Sequence, residues 1–136
     1  MFVRDSMTPK PITITIKESL QGAMELMAMK RIRHLPVVDD AGHLIGMVTD
    51  RDLRRAAPSP LFGGDSAKAE GQLDSTSVER IMIRSPATIA PTARLQEAMK
   101  VMVEKKYGAL PVVDGVRLVG IITPIDAMKS WLKAQP

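Results

Sequence analysis

Two short pairs of residues carry the chemistry open to this chain: Thr49 with Asp52, and Thr123 with Asp126. In each pair a Thr closes an apolar run and an Asp follows three positions later. A strand ending in Thr, followed by a helix start, directs backbone amides and a hydroxyl outward together. Such a helix N-terminus favours phosphate. An aspartate three residues on can accept hydrogen bonds from both hydroxyls of a ribose, as an acidic residue does in dinucleotide-binding folds. The plainer reading is that Thr and Asp at a helix start are capping residues. Both pairs, however, stand behind the same Gly-x-x-Thr run, Gly46 to Thr49 and Gly120 to Thr123. That recurrence favours a shared binding role over capping alone.

The recurrence extends well beyond the pairs. Leu35-Pro36-Val37-Val38-Asp39 returns as Leu110-Pro111-Val112-Val113-Asp114, and Thr13-Ile14 returns as Thr88-Ile89. Leu20, Gln21, Ala23, Met24 and Met27 return as Leu95, Gln96, Ala98, Met99 and Met102 at the same spacing. After the aspartate the spacing shortens by one residue, so that Gly46, Thr49 and Asp52 match Gly120, Thr123 and Asp126. So long a period, seen only twice, indicates a duplicated subdomain rather than a solenoid. Two related halves facing each other create a cleft, and function is expected there.

The elements that must position the Thr/Asp pairs follow the same order in both halves. Thr13 to Ile16 alternates polar and apolar residues, which predicts a short strand. Leu20, Ala23, Met24 and Met27 mark one face of a helix, with Gly22 costing about 1 kcal/mol inside it. Leu35 to Val38 and Leu44 to Val48 read as a hairpin turning at Asp40 to His43. Asp50 to Arg55 starts a further helix, with Asp50 as its expected N-cap. In the second half Thr92 is the expected N-cap of the helix bearing Leu95, Ala98, Met99 and Met102. Leu110 to Val113 and Leu118 to Ile122 form the hairpin, turning at Asp114-Gly115. Pro124 sits at the first helical position, where Pro is tolerated. Between the halves, Pro58 to Thr76 has the Pro, Gly and Ser content of a linker, long enough to hide a short element around Ala67 to Gln72.

The 136 residues suffice for a compact domain with a core. Aromatic residues make up only 3%, so Met, Val, Ile and Leu must fill that core. The absence of Cys excludes disulfides, zinc-thiolate sites and a cysteine nucleophile. No apolar run approaches the ~18 to 20 residues of a membrane span, and Met1 to Asp5 lacks the order of a signal peptide. A cytoplasmic protein is expected. The formal charge of +4 is a modest bias toward anionic ligands. Lys100, Lys105 and Lys106 read as a solvated helix face rather than a nucleic-acid patch, since few aromatic residues are available to stack bases. The Met stripe reads as core or dimer interface, and Trp131 as an anchor of the last helix. The two histidines, His34 and His43, enter no Ser/His/Asp arrangement, and no metal cluster accompanies the carboxylates, so an enzyme is not expected.

The pattern Met-Thr, Thr-Ile, Leu-x-x-Ala-x-x-x-Met and Leu-Pro-Val-Val-Asp-x-x-Gly-x-Leu-Ile-Gly-x-Val-Thr-x-x-Asp resembles the cystathionine β-synthase (CBS) domain motif. Both halves match, so the chain resembles a tandem CBS pair, or Bateman module. Thr49-Asp50-Arg51-Asp52-Leu53-Arg54 is similar to first repeats of stand-alone bacterial and archaeal pairs, and Ala56-Ala57-Pro58-Ser59-Pro60 to the acetoin-utilisation type. The resemblance implies an α/β (α+β) fold of two β-α-β-β-α repeats packed with pseudo-twofold symmetry. Repeat 1 is expected over 1–57, the linker over 58–77 and repeat 2 over 78–136. It also implies a disc-shaped homodimer, clefts that bind AMP, ADP, ATP or S-adenosylmethionine, and an attached or separate protein that responds.

By that resemblance, each cleft joins one repeat's Thr and Asp to the other repeat's first strand and pre-hairpin segment. One cleft joins Thr123, Ile125 and Asp126 to Lys10, Ile12, Ile32, Arg33 and His34. The other joins Thr49, Arg51 and Asp52 to Ser85, Ala87, Tyr107, Gly108 and Ala109. Apolar residues such as Ile12, Ile32 and Ala87 are expected to sandwich adenine. Arg33, His34 and Lys10 are cationic equipment for phosphate. Alternatively, Arg33 is a solvated charge and His34 a packed surface residue. The second cleft has only Arg51, with Arg54 near, so the first is expected to hold a phosphorylated ligand more tightly. No cofactor is expected beyond the regulatory nucleotide, with Mg²⁺ as a companion if that nucleotide is ATP. The competing readings are a nucleic-acid-binding or purely structural dimerisation module, and an S-adenosylmethionine sensor.

Overall fold

The computed structural model describes residues 1–56 and 73–136. Its elements run α1 (Val3–Ser6), β1 (Thr8–Pro9), α2 (Leu20–Lys30), β2 (His34–Val38), β3 (Leu44–Thr49) and α3 (Asp50–Ala56). A 3₁₀ turn (Val78–Arg80) and β4 (Ile83–Arg84) follow, then α4 (Leu95–Lys105), β5 (Leu110–Asp114), β6 (Arg117–Ile122) and α5 (Pro124–Lys133). They divide into two compact units. One, the N-repeat unit, holds Ile12–Asp40 and Ile45–Ser85; the other, the C-repeat unit, holds Met1–Pro11, Ala41–Leu44 and Pro86–Pro136. The expected element around Ala67 to Gln72, and the Ala57 to Pro60 part of the acetoin-type phrase, lie outside the described residues.

Each unit contains one three-stranded sheet, ordered β2-β3-β4 in the N-repeat unit and β1-β6-β5 in the C-repeat unit. The third strand of each is two residues long and comes from outside the repeat it completes. Thr8 and Pro9 pair antiparallel with Ile121 and Gly120, and Arg84 and Ile83 with Gly46 and Met47. The glycines allow this approach. A Cβ on Gly120 would meet the Thr8 carbonyl oxygen at 3.1 Å and collide with the Met7 sulfur, and one on Gly46 would meet the Ile83 carbonyl oxygen at 3.1 Å and the Met82 sulfur at 2.6 Å.

The two cores repeat residue for residue. Leu20, Ala23, Met27, Leu35, Val37, Val48, Leu53 and Val78 are buried together in the N-repeat unit. Leu95, Ala98, Met102, Leu110, Val112, Ile122, Ala127 and Val3 occupy the same places in the C-repeat unit. Burying each larger aliphatic side chain is worth about 1.5–3 kcal/mol, which makes these clusters the main support of both folds. The Met stripe thus supplies core at Met27 and Met102, with Met24 and Met99 packed against the edge.

Helix termini account for several departures from expectation. Ser19 caps α2 by accepting a hydrogen bond from the Gly22 N–H at 2.9 Å. The expected cap Thr92 lies two residues too early: Arg94 holds the cap position of α4 and bonds no amide through its side chain, while the Met1 carbonyl accepts the Leu95 N–H at 2.9 Å. Asp50 is the first residue of α3 rather than its cap, because Thr49 takes the cap. Both long helices end in a left-handed residue that is not glycine, Arg31 (φ 55°) and Lys106 (φ 58°).

The expected strand at Thr13 to Ile16 reduces to one bridge, Ile14 with Val37, matched by Ile89 with Val112. Pairing stops there because the chain turns at once, the Glu18 N–H donating to the Thr15 carbonyl. The chain near the linker's end is ordered into the N-repeat unit: the Thr76 carbonyl accepts the Leu20 N–H, and Leu73 packs on the core. Trp131 does not anchor α5, since more than half of its surface is exposed (56%).

Candidate functional site

Each strand-to-helix junction folds into the same reciprocal cap. Asp52 N–H donates to Thr49 Oγ1 at 3.1 Å, and Thr49 N–H donates to Asp52 Oδ2 at 3.2 Å. Asp126 N–H donates to Thr123 Oγ1 at 3.2 Å, and Thr123 N–H donates to Asp126 Oδ2 at 3.0 Å. This capping box satisfies two backbone donors at each junction, so the bland reading of the Thr/Asp pairs is physically sufficient for their local geometry. It also fixes both carboxylates in place while engaging one oxygen of each, Oδ2.

The candidate residues divide between the two units. The N-repeat unit carries Ile12, Ile32, Arg33, His34, Thr49, Arg51, Asp52 and Ser85; the C-repeat unit carries Lys10, Ala87, Tyr107, Gly108, Ala109, Thr123, Ile125 and Asp126. Within the N-repeat unit, residues assigned to different clefts meet at one corner. Asp50 N–H donates to the Arg33 carbonyl at 2.9 Å, tying the pre-hairpin segment to the start of α3. Burial pushes the His34 imidazole below its ordinary pKa, the Arg33 charge adds to the fall, and the Asp50 and Asp52 carboxylates oppose it. His34 is therefore mainly neutral at pH 7 and offers a hydrogen bond rather than a charge. Arg33 and Lys10 remain as exposed cations.

The equivalent corner of the C-repeat unit is different. Gly108 stands where Arg33 does, and Pro124 stands where Asp50 does. Proline has no N–H, so the tie to the pre-hairpin carbonyl is absent there. Tyr107 is exposed and Ala109 buried. Ile12 (37% exposed) and Ile125 (54% exposed) are large apolar side chains left uncovered, one in each unit.

Sequence reasoning missed one paired feature. Lys10 and Ser85 both adopt φ 48°, a left-handed conformation uncommon outside glycine, and both immediately precede a proline. The repeated X-Pro at matching positions, Lys10-Pro11 and Ser85-Pro86, was the available signal. Strain held at matching places in both repeats, next to Ile12 and Ala87, is the pattern expected where backbone is being aimed.

A duplicated unit of helices on a small sheet, with a capped Thr–Asp junction in each copy, defines a tandem α/β repeat protein. A family model described as the CBS domain matches residues 3–59 and 78–133, and the chain belongs to that family with two copies. The CBS domain-containing protein DDB_G0289609 of Dictyostelium discoideum is 34% identical over 134 residues, covering 98% of this chain and 92% of that protein. The crystal structure of CBSX2 in complex with AMP superposes with a TM-score of 0.81 at 30% identity, covering 97% of this chain and 96% of that one. Against the whole of the Arabidopsis thaliana chloroplastic CBSX2 protein, the chain spans 63% of the length. The CBS domain pair of MJ0100, in complex with 5′-methylthioadenosine and S-adenosyl-L-methionine, gives a TM-score of 0.79 at 26% identity, covering 99% of this chain and 98% of that one. Among the described residues, no helix is long and apolar enough to cross a membrane.

Proposed function

We propose that this chain is a regulatory module that binds an adenosine nucleotide and reports its presence to a separate protein. The observation that carries this reading is the identical Thr–Asp box at both junctions, in a family whose similar solved members hold AMP or S-adenosylmethionine. In the first site, Asp126 accepts the ribose hydroxyls through its remaining carboxylate oxygen. Thr123 and the α5 N-terminus face phosphate, and Ile12, Ile32 and Ile125 cover adenine. Arg33 and Lys10 neutralise phosphate charge, and His34 adds a neutral hydrogen bond. The second site uses Asp52, Thr49 and Arg51 with Ala87, Tyr107, Gly108 and Ala109. Ligand favours whichever geometry of the pair, or of a homodimer, it fits better, and that population shift is the signal. Mg²⁺ accompanies the ligand only if it is a triphosphate. Catalysis has no part in this scheme.

A second reading, S-adenosylmethionine sensing, is favoured by one feature. The corner holding Tyr107 and Gly108 lacks the cation found at Arg33, which suits a ligand without phosphate. Thermal unfolding with AMP, ADP, ATP with and without Mg²⁺, and S-adenosylmethionine distinguishes the two. A ligand at 100 times its Kd stabilises by about 2.7 kcal/mol. Adenine nucleotides are expected to give the larger shift, and Asp126→Ala to abolish most of it. Stabilisation by S-adenosylmethionine alone selects the second reading, and indifference to all of them, with salt-dependent binding to RNA or DNA, overturns both.

A further inference from the structure

Met1–Pro11 form a strap that completes the C-repeat unit, although the N-repeat unit follows it in the chain. Backbone bonds do most of the holding. The Val3 and Arg4 N–H groups donate to the Ala93 and Pro91 carbonyls at 2.8 and 3.0 Å, and the Met1 carbonyl accepts from Leu95. Thr8 and Pro9 pair with β6, and Ser6 Oγ donates to Ser130 Oγ on α5. Val3 alone among the strap's side chains is buried. All these partners lie in the C-repeat unit, and none of the bonds depends on which copy of the chain supplies the strap.

Residues 76–85 are the counterpart in the N-repeat unit, and they are held more firmly. Val78 and Met82 are both buried there, and Ile81 and Ala56 pack on the apolar core at the places of Ser6 and Ser130. Lifting Met1–Pro11 therefore exposes less apolar surface, and water can satisfy the parted hydroxyls.

The strap ends on a strained hinge. Lys10 adopts φ 48° and precedes Pro11, after which the chain crosses into the N-repeat unit. A residue before proline favours an extended backbone, and a left-handed residue other than glycine stores strain. Closing the strap onto its own chain holds Lys10 in that conformation, and an extended Lys10 re-aims the strap. Ser85 is strained in the same way before Pro86, but releasing it would move a whole unit rather than a short strap.

We propose that the strap is exchanged between two copies of this chain, Met1–Pro11 of each completing the C-repeat unit of the other. The bonds named above re-form across the copies, and the strain at two hinges is released. Strained hinge segments are the setting in which identical elements are traded between protomers. The exchange is reciprocal, because a copy that gives up its strap leaves β6 and the Leu95 amide open, and the segment that fits them is the same segment of the other copy. It depends neither on the adenosine reading nor on any dimer formed through helix faces.

The chain has no Cys, so introduced thiols report the exchange directly. Ser6→Cys and Ser130→Cys are made as separate variants, unfolded together in urea, refolded and oxidised without nucleotide. A disulfide from residue 6 of one chain to residue 130 of another is expected in about half of the dimers, the statistical share for equal mixing, as read by non-reducing electrophoresis and peptide mass spectrometry. Little linkage is expected with either variant alone. Adding Lys10→Gly, which accepts φ 48° without strain, is expected to lower the yield about fivefold or more. Thr8→Cys with Ile121→Cys, opposite each other in the β1–β6 register, repeats the measurement at a second point in case a thiol at position 130 disturbs α5. In a chain carrying both cysteines of either pair, covalent dimers are expected. Disulfides confined to single chains, a dimer by light scattering whose mixed variants do not link, or a yield unmoved by Lys10→Gly overturns the proposal.

Discussion

The two units share a core and differ at one corner. In the N-repeat unit the pre-hairpin segment Ile32-Arg33-His34 is tied to α3 through the Asp50 N–H and faces Asp50 and Asp52. In the C-repeat unit the same segment is Tyr107-Gly108-Ala109, and Pro124 removes the donor. Duplication has therefore kept what folding needs, the aliphatic cluster and the capped junction, and allowed this surface corner to diverge. Under the proposed function, the difference assigns selectivity to the residues between the long helix and the first strand of the hairpin.

Shared core and divergent corner make distinct claims that mutation can separate. The largest effect is expected from Leu35→Ala and Leu110→Ala, each destabilising by about 2–5 kcal/mol, because both side chains are fully buried at equivalent places. Chemical denaturation showing one of them to be nearly neutral would break the equivalence of the cores. Next, Arg33→Gly, which gives the N-repeat corner its partner's residue, is expected to weaken AMP binding about tenfold, or about 1.4 kcal/mol, by calorimetry. In the same assay Asp126→Ala should cost more affinity than Asp52→Ala, and the reverse order would invert the ranking of the sites.

The junctions should behave alike. Thr49→Ala and Thr123→Ala each remove a cap oxygen, and each is expected to cost about 1 kcal/mol in urea unfolding. Smaller still, Arg31→Gly and Lys106→Gly relieve a left-handed residue worth about 1–2 kcal/mol but add unfolded-chain entropy of about 0.5–1 kcal/mol, so a net gain of about 0.5 kcal/mol is expected at both.

The smallest effect is confined to one corner. His34 has a lowered pKa in the folded chain, so below its ordinary value near 6.5 the unfolded chain binds the proton first. Stability is then expected to fall as pH drops from about 7 toward the folded-state pKa, and to level off below it. His34→Gln should flatten that part of the urea-midpoint profile, whereas Ala109 gives the other corner nothing to titrate. An unchanged profile would show that the burial of His34 carries no energetic weight.

Much of this was legible in the sequence, for reasons that also mark its limits. The helices α2 and α4 were readable because buried residues recur on one face, and the junctions because Gly-x-x-Thr-x-x-Asp occurs twice. The two-residue strands Thr8–Pro9 and Ile83–Arg84 were not, since so short a segment shows no alternation and is defined only by its distant partner. Thr92 was misread as a cap because the Met1 carbonyl, far away in sequence, satisfies the amide that a local cap would have taken. Trp131 was misread because hydrophobicity alone does not say which face of a helix is covered. The corner at Arg33 and Asp50 was half legible: the residue types were visible, but the bond that joins them depends on long-range folding.

The exchange of short strands between the repeats governs how the chain can be made. A ribosome delivering this protein has released every part of the N-repeat unit once Ser85 has emerged, so that unit can close during synthesis. The C-repeat unit cannot, because its edge strand and the cap of α4 were made first and must wait for β6 and Leu95. Met1–Pro11 thus wait through synthesis of the N-repeat unit before finding their place, a high-contact-order closure expected to be the slower folding event. Cutting the gene at the linker would leave the C-terminal half without its edge strand and the N-terminal half without β4, so neither half would keep its three-stranded sheet.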